Sequence, residues 1–147
     1  RPRSLTSACA MPTPLRRELS HTTAECVELY QRVNEHAAVP FRFCLDVGHQ
    51  CAYDVTGDES DPYYHLEKLL PMTEVVHLQQ TDGKYDRHWP FTPEYNEKGI
   101  IAKERILESV AKRANGPVYL VLEIVHPFEE SDEKVLRDMK ASADYWK

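Results

Sequence analysis

The sequence predicts an α/β protein, the carboxyl-terminal half of a (β/α)8 TIM barrel with about four parallel strands alternating with helices. Three observations lead there. Short apolar runs recur and close on a polar group: Phe41-Arg42-Phe43-Cys44-Leu45-Asp46, Glu74-Val75-Val76-His77-Leu78 and Val118-Tyr119-Leu120-Val121-Leu122-Glu123. Strands covered by helices in a parallel sheet read this way. Amphipathic stretches separate the runs, as parallel strands require of their crossover connections. The strand–helix unit then recurs about four times in 147 residues, against the ~250 residues of an eight-unit barrel. A four-stranded half leaves two edges unpaired and an apolar face in water, so a second copy of the chain is expected to cover it. An open flavodoxin-like sheet is the rival, usually with five strands.

Along the chain, residues 1–20 read as irregular. Ser4 to Ala10 is a weak strand at best, and Met11-Pro12-Thr13-Pro14 breaks regular structure. Thr22 with Glu25 forms a capping box. The helix behind it places Val27, Tyr30, Val33 and Ala37 on one face. Pro40 closes the connection into the strand Phe41 to Asp46, and the polar segment from His49 to Ser60 is a loop above the strand end. Asp61-Pro62 is an N-cap with proline in the first turn of a short helix carrying Leu66, Leu69 and Leu70, stopped by Pro71.

A strand from Glu74 to Leu78 leads into a long stretch without regular pattern, Gln79 to Gly99. It carries Trp89, Phe91 and Tyr95, and stretches of this length in compact domains are commonly lids. Ile100 to Ala114 is a helix packed through Ile106, Leu107 and Val110 and ended by Asn115-Gly116-Pro117. Val118 to Ile124 is another buried strand. Ser131 caps a last helix with Asp132 and Glu133 in its first turn and a core stripe of Val135, Leu136, Met139 and Ala143. The whole chain, 1–147, makes a single partial domain.

The bulk numbers narrow the function classes. With 41% hydrophobic and 29% charged residues the chain is globular. No apolar run reaches the ~20 residues of a membrane span, and no secretory signal is visible. A first residue of arginine rather than methionine leads us to expect that sequence is missing upstream. A net charge of −6 disfavours phosphate-backbone binding, despite the local pairs Arg1/Arg3 and Arg16/Arg17. The four cysteines, Cys9, Cys26, Cys44 and Cys51, have no disulfide or zinc-ribbon spacing. Reduced, buried thiols and a cytoplasmic setting are expected.

Three strands in succession thus deliver Asp46, His77 and Glu123 to one rim, the carboxyl edge where such sheets bind ligands. These side chains suit a divalent metal ion such as Mn²⁺, Mg²⁺, Co²⁺ or Zn²⁺. Taken singly, Asp46 caps a loop, His77 is a core histidine and Glu123 pairs with a lysine. It is their equivalent placement that favours the metal rim. His49 orients Asp46 or contacts a substrate hydroxyl, or else is a solvated loop residue. In the loop, Asp82, Arg87, His88 and Trp89 are candidate substrate contacts. An arginine there clamps a phosphate and a tryptophan excludes water; the plainer alternative is an exposed salt bridge.

The segments Leu45-Asp46-Val47-Gly48-His49, Val76-His77-Leu78-Gln79-Gln80-Thr81-Asp82-Gly83 and Leu122-Glu123-Ile124 resemble the xylose-isomerase-like sugar isomerase/epimerase family. The likeness runs from about Met11 to the end, and Asp86-Arg87-His88-Trp89-Pro90-Phe91-Thr92 looks like the branch acting on four-carbon sugar phosphates. This resemblance implies a TIM barrel, isomerase activity, and a divalent metal held by two glutamates, an aspartate and a histidine. Three ligands carry over, to Asp46, His77 and Glu123, with Glu123 also the proton-transferring group and His49 a substrate contact. In relatives the fourth, a glutamate, precedes a Pro-Met pair on the fifth strand. Here the stretch reads Ala8-Cys9-Ala10-Met11-Pro12, so that position falls near Cys9 and lacks its acid. Two other readings stay open: a zinc-dependent abasic-site endonuclease of similar rim chemistry, disfavoured by the acidic charge, and an inactive self-associating fragment.

Overall fold

The computed structural model describes residues 20–51, 55–113 and 116–147, with the backbone of 9–12. Four strands, β1 (Cys9–Pro12), β2 (Phe41–Asp46), β3 (Thr73–Leu78) and β4 (Tyr119–Leu122), pair in parallel in the order β1-β2-β3-β4. Helix α1 (Thr23–Asn34) joins β1 to β2, and α2 (Pro62–Leu69) joins β2 to β3. Two helices, α3 (Pro93–Lys98) and α4 (Lys103–Ala111), lie between β3 and β4, and α5 (Asp132–Tyr145) follows β4.

Strand order equals chain order, so right-handed crossovers all step the same way and gather the helices on one face. A doubly wound sheet reverses once; the described strands show no reversal. This is barrel-type winding, not the flavodoxin-like alternative. On the helix side Phe41, Phe43 and Leu45 of β2 and Val76 and Leu78 of β3 pack with Cys26, Leu66, Leu69 and Ile106 into one core. Alternation along the strands then sends Cys44, Asp46, His77 and Val121 to the other face.

Local signals account for the helix starts. Thr22 and Glu25 form the reciprocal capping box, and Asp61 accepts from the Tyr63 amide with Pro62 in the first turn. Ser131 likewise accepts from the Lys134 amide at the start of α5.

Several expectations need correction. The amino-terminal stretch is not wholly irregular, since Cys9–Pro12 forms β1 and takes in Met11-Pro12. An edge strand tolerates a residue without an amide hydrogen. Helix α1 ends at Asn34, so Ala37 lies beyond it, and Val33 is exposed; Val27 and Tyr30 pack on the core as expected, beside buried Cys26. The helix expected from Ile100 begins at Lys103, and Leu107 is exposed. Strand β4 is not buried: Tyr119 and Val121 are exposed, and among the described residues β4 pairs with β3 alone.

In α5 the expected stripe points outward, with Leu136 70% exposed, while Asp138 and Ser142 are buried. The reason is the loop after β3. Phe91 from that loop stacks on Tyr145 and meets Trp146 edge-on, and its amide donates to Ser142 Oγ at 2.9 Å. That contact draws in the mixed face of α5 and leaves the leucine face outside.

The same anchoring corrects the lid reading of Gln79 to Gly99. Phe91 is buried, Gln80 and Trp89 exchange backbone hydrogen bonds at 2.9 and 3.0 Å, and α3 lies within the stretch. The Gln80 side chain is bonded to Ile101 and Asn96, and a Cβ on Gly99 would sit 2.0 Å from it. This is a packed platform. Arg1, Arg3, Arg16, Arg17 and Asn115 lie outside the described residues. No described helix is long and apolar enough to cross a membrane. Cys26 and Cys44 are buried free thiols whose pKa burial pushes up, to about 12 and about 11.

Candidate metal centre at the carboxyl edge

Asp46 is the last residue of β2 and pairs directly across from His77 of β3. Glu123 follows β4, and its amide extends the ladder by donating to the Leu78 carbonyl at 2.9 Å. Paired positions share a face, so all three side chains converge. One ligand atom from each lies within 4.8 Å of the others. His77 Nδ1 is 2.8 Å from Glu123 Oε2 and 4.0 Å from Asp46 Oδ2.

The two acids have opposite proton preferences. Burial, with a hydrogen bond to Glu123, pushes the Asp46 carboxyl up to about 6. Partial burial acts upward on Glu123 too, but the Asp46 hydrogen bond and the His77 and His88 charges outweigh it and hold Glu123 low. Below about pH 6 the pair therefore keeps one proton, on Asp46. A cation between them would replace that proton and offset the same repulsion. Two carboxylate oxygens and an imidazole nitrogen are a donor set that suits Mn²⁺, Mg²⁺, Co²⁺ or Zn²⁺, so the residues fit the expected ion.

A second cluster adjoins the first. His49, Asp86 and His88 also place ligand atoms within 4.8 Å of one another. His49 Nε2 stands 3.9 Å from both Asp46 Oδ2 and Asp86 Oδ2, so it bridges the clusters. His88 Nε2 is 3.0 Å from Asp86 Oδ2, and its Nδ1 is 3.0 Å from the Glu123 carbonyl. Burial lowers the His88 pKa, but that carbonyl and the Asp86 and Asp46 carboxylates raise it further than burial lowers it. His88 also holds φ +49°, a left-handed conformation uncommon for a side-chain-bearing residue. Strain of this kind, of order 1–3 kcal/mol, gathers at functional sites.

Of the expected substrate contacts, His49 and His88 reach the rim. Asp82, Arg87 and Trp89 form their own group in the platform. Arg87 donates Nη2 and Nε to Asp82 Oδ2 at 2.8 and 3.2 Å, and its guanidinium lies over the Tyr85 and Trp89 rings. Cys9 pairs with Phe41, at the far end of the sheet from Asp46. The register therefore does not carry the missing-glutamate position at Cys9 to the rim; the level of Asp46 falls past Pro12, outside the described residues. Two rim residues were missed, Asp86 and Gln79. Their only signals were the Asp-x-His spacing of Asp86 and His88 and the place of Gln79 just after a strand.

These features define a class: a singly wound, all-parallel βα sheet with a histidine–carboxylate rim. No family model matches the chain. Among curated proteins it is similar to D-erythrulose 1-phosphate 3-epimerase of Brucella abortus (strain 2308), 27% identical over 137 residues, covering 92% of this chain and 44% of that protein. Among solved structures it is similar to a Rhodospirillum rubrum ATCC 11170 protein provisionally described as a xylose isomerase. That match has a TM-score of 0.81 and 30% identity, and covers 95% of this chain and 46% of the other. The chain thus spans less than half the length of the relatives it matches. The likeness to the Rhodospirillum rubrum protein extends along nearly the whole of this chain in fold.

Proposed function

We propose that this chain is the carboxyl-terminal half of a metal-dependent sugar-phosphate isomerase/epimerase, a tetrulose-phosphate racemase of the kind used in erythritol catabolism. The observation that carries this is the convergence of Asp46, His77 and Glu123 at three adjacent strand ends. Asp46, His77 and Glu123 would hold the ion, which when bound acts as a Lewis acid toward a carbonyl oxygen.

Glu123 takes the proton from the carbon beside the carbonyl, its carboxylate form maintained by Asp46 and His77. His77, 2.8 Å away, fixes the direction of that carboxylate. His49 and His88 offer ring nitrogens to substrate hydroxyls. Arg87, flattened between Asp82 and two aromatic rings, is the phosphate-facing cation, and Trp89 beside it shields the site from water.

Inversion needs a second acid on the opposite face; the resemblance expects a fifth-strand glutamate for that role, and the matching position of the motif in this sequence holds Cys9. The chain alone should therefore exchange the substrate C–H with solvent but not invert it. With Mn²⁺ and a tetrulose phosphate in D₂O, deuterium incorporation without epimer formation is expected, lost in Glu123→Gln. Ready epimerisation by the 147-residue chain would refute the half-site account. Failure to bind Mn²⁺ would remove the metal reading, and nicking of abasic duplex DNA would favour the nuclease alternative.

The open face is assigned to a second copy. Strands β1 and β4 are edges of equal length, four residues each, so the β1 edge of one copy can extend the β4 edge of another in parallel. Tyr119 and Val121 of β4 are exposed there. Sedimentation should show a dimer that Val121→Lys dissociates; a monomeric parent chain would overturn this assignment. Buried reduced thiols fit a cytoplasmic setting.

A further inference from the structure

One fully buried side chain touches both clusters. Gln79, next after β3, donates Nε2 to Asp46 Oδ1 at 2.9 Å and to Asp86 Oδ1 at 2.8 Å. Its Oε1 accepts from the His88 amide at 2.6 Å. A primary amide has two N–H hydrogens, and each meets one carboxylate. The amide has one workable orientation, because turning it over would set its oxygen against two carboxylates and its NH₂ against an N–H.

Gly48 completes the seat. Its amide donates to the same Asp46 Oδ1 at 2.6 Å, and a Cβ on it would lie 2.2 Å from the Gln79 amide carbon. The other oxygens of the two acids face the histidines. Asp46 Oδ2 is 4.0 Å from His77 Nδ1, Asp86 Oδ2 is 3.0 Å from His88 Nε2, and both are 3.9 Å from His49 Nε2.

We propose that Gln79 is a positioning residue that sets the spacing of Asp46 and Asp86, tying down one oxygen of each and turning the other toward the histidines. This rests on the reading of the rim as a divalent-cation site. Carboxylates that ligate a cation are held by hydrogen bonds from outside the ligand set, and losing such a partner weakens metal binding. Charge-assisted N–H bonds to carboxylate are also short and directional. Gln80 is the natural control: equally buried, it directs its amide to Ile101 and Asn96 in the platform.

The test is titration of the chain, Gln79→Met and Gln80→Met with Mn²⁺, alongside the Tm of each metal-free protein. Gln79→Met is expected to bind Mn²⁺ roughly 10–100-fold more weakly. Gln80→Met should lower Tm and leave the affinity unchanged. Unchanged affinity in Gln79→Met, or equal losses in both variants, overturns the proposal. Gly48→Ala crowds the amide without removing it and should also weaken binding; it decides the matter if Gln79→Met does not fold. Metal-free crystal structures separate the proposal from the reading beneath it. If the parent binds no Mn²⁺ the cation reading fails, but the positioning role still stands or falls on whether Asp46 and Asp86 shift in Gln79→Met. Unmoved carboxylates refute it.

Discussion

Strands β2 and β4 present the same face of one sheet to very different surroundings. On β2 the aspartate Asp46 is 0% exposed, while on β4 the valine Val121 is 43% exposed. Side-chain character would order them the other way. Position in the sheet decides, because among the described residues β2 has a strand on each side and β4 on one side only. The consequence is chemical. Closed in, Asp46 has its carboxyl pushed up to about 6, whereas Glu123 on the open side is held low.

The largest test of this contrast is mechanical. Phe43→Ala in the closed region should lose about 3–5 kcal/mol by urea denaturation. Leu136→Ala on the exposed face of α5 should stay within about 0.5 kcal/mol. Comparable losses at both positions would break the comparison and mean that the α5 face is covered.

A smaller effect separates the two acids by pH. Asp46 has a folded pKa of about 6 against a usual 3.8. The folded state therefore binds its proton more tightly, and that contribution is complete below pH 3.8. In EDTA it should be lost as pH rises to about 6, a fall of roughly 2–3 kcal/mol. Glu123, held low, works in the opposite sense: its contribution is present above its usual value and fades as pH falls. Denaturation midpoints across this range should lose the downward slope in Asp46→Asn and keep a smaller one, owed to burial, in Glu123→Gln. A flat parent profile contradicts the assignment.

The smallest test concerns features that the contrast should not touch. Thr22→Ala at the start of α1 and Ser131→Ala at the start of α5 should each cost about 1 kcal/mol. Caps act locally, so the closed and open sides should respond alike. A large difference would show that one of these helix ends is also held by its tertiary neighbours.

Much of this was legible in residue order. The bounds of β2, the Thr22–Glu25 box and the Asp61-Pro62 helix start follow from propensity and capping, which act within a few residues. Asp46, His77 and Glu123 were legible because each closes or nearly closes an apolar run, and parallel strands put such positions at one edge. Asp86 and Gln79 were not. Their roles depend on how the platform folds back over β3, which is set by Phe91 docking on Tyr145 and Trp146. The outward turn of Leu136 and Met139 has the same origin: helical spacing defines a stripe but not the neighbour it meets.

Alternating strands and helices, the helix caps and the three side chains that converge on the rim are thus contained in the sequence itself, because periodicity and short-range hydrogen bonding need no distant partner. The linkage of the two histidine–carboxylate clusters through Gln79, the unequal proton affinities of Asp46 and Glu123, and the exposure of β4 were decided only by tertiary structure. Each depends on which groups, far apart in the chain, exclude water from one another.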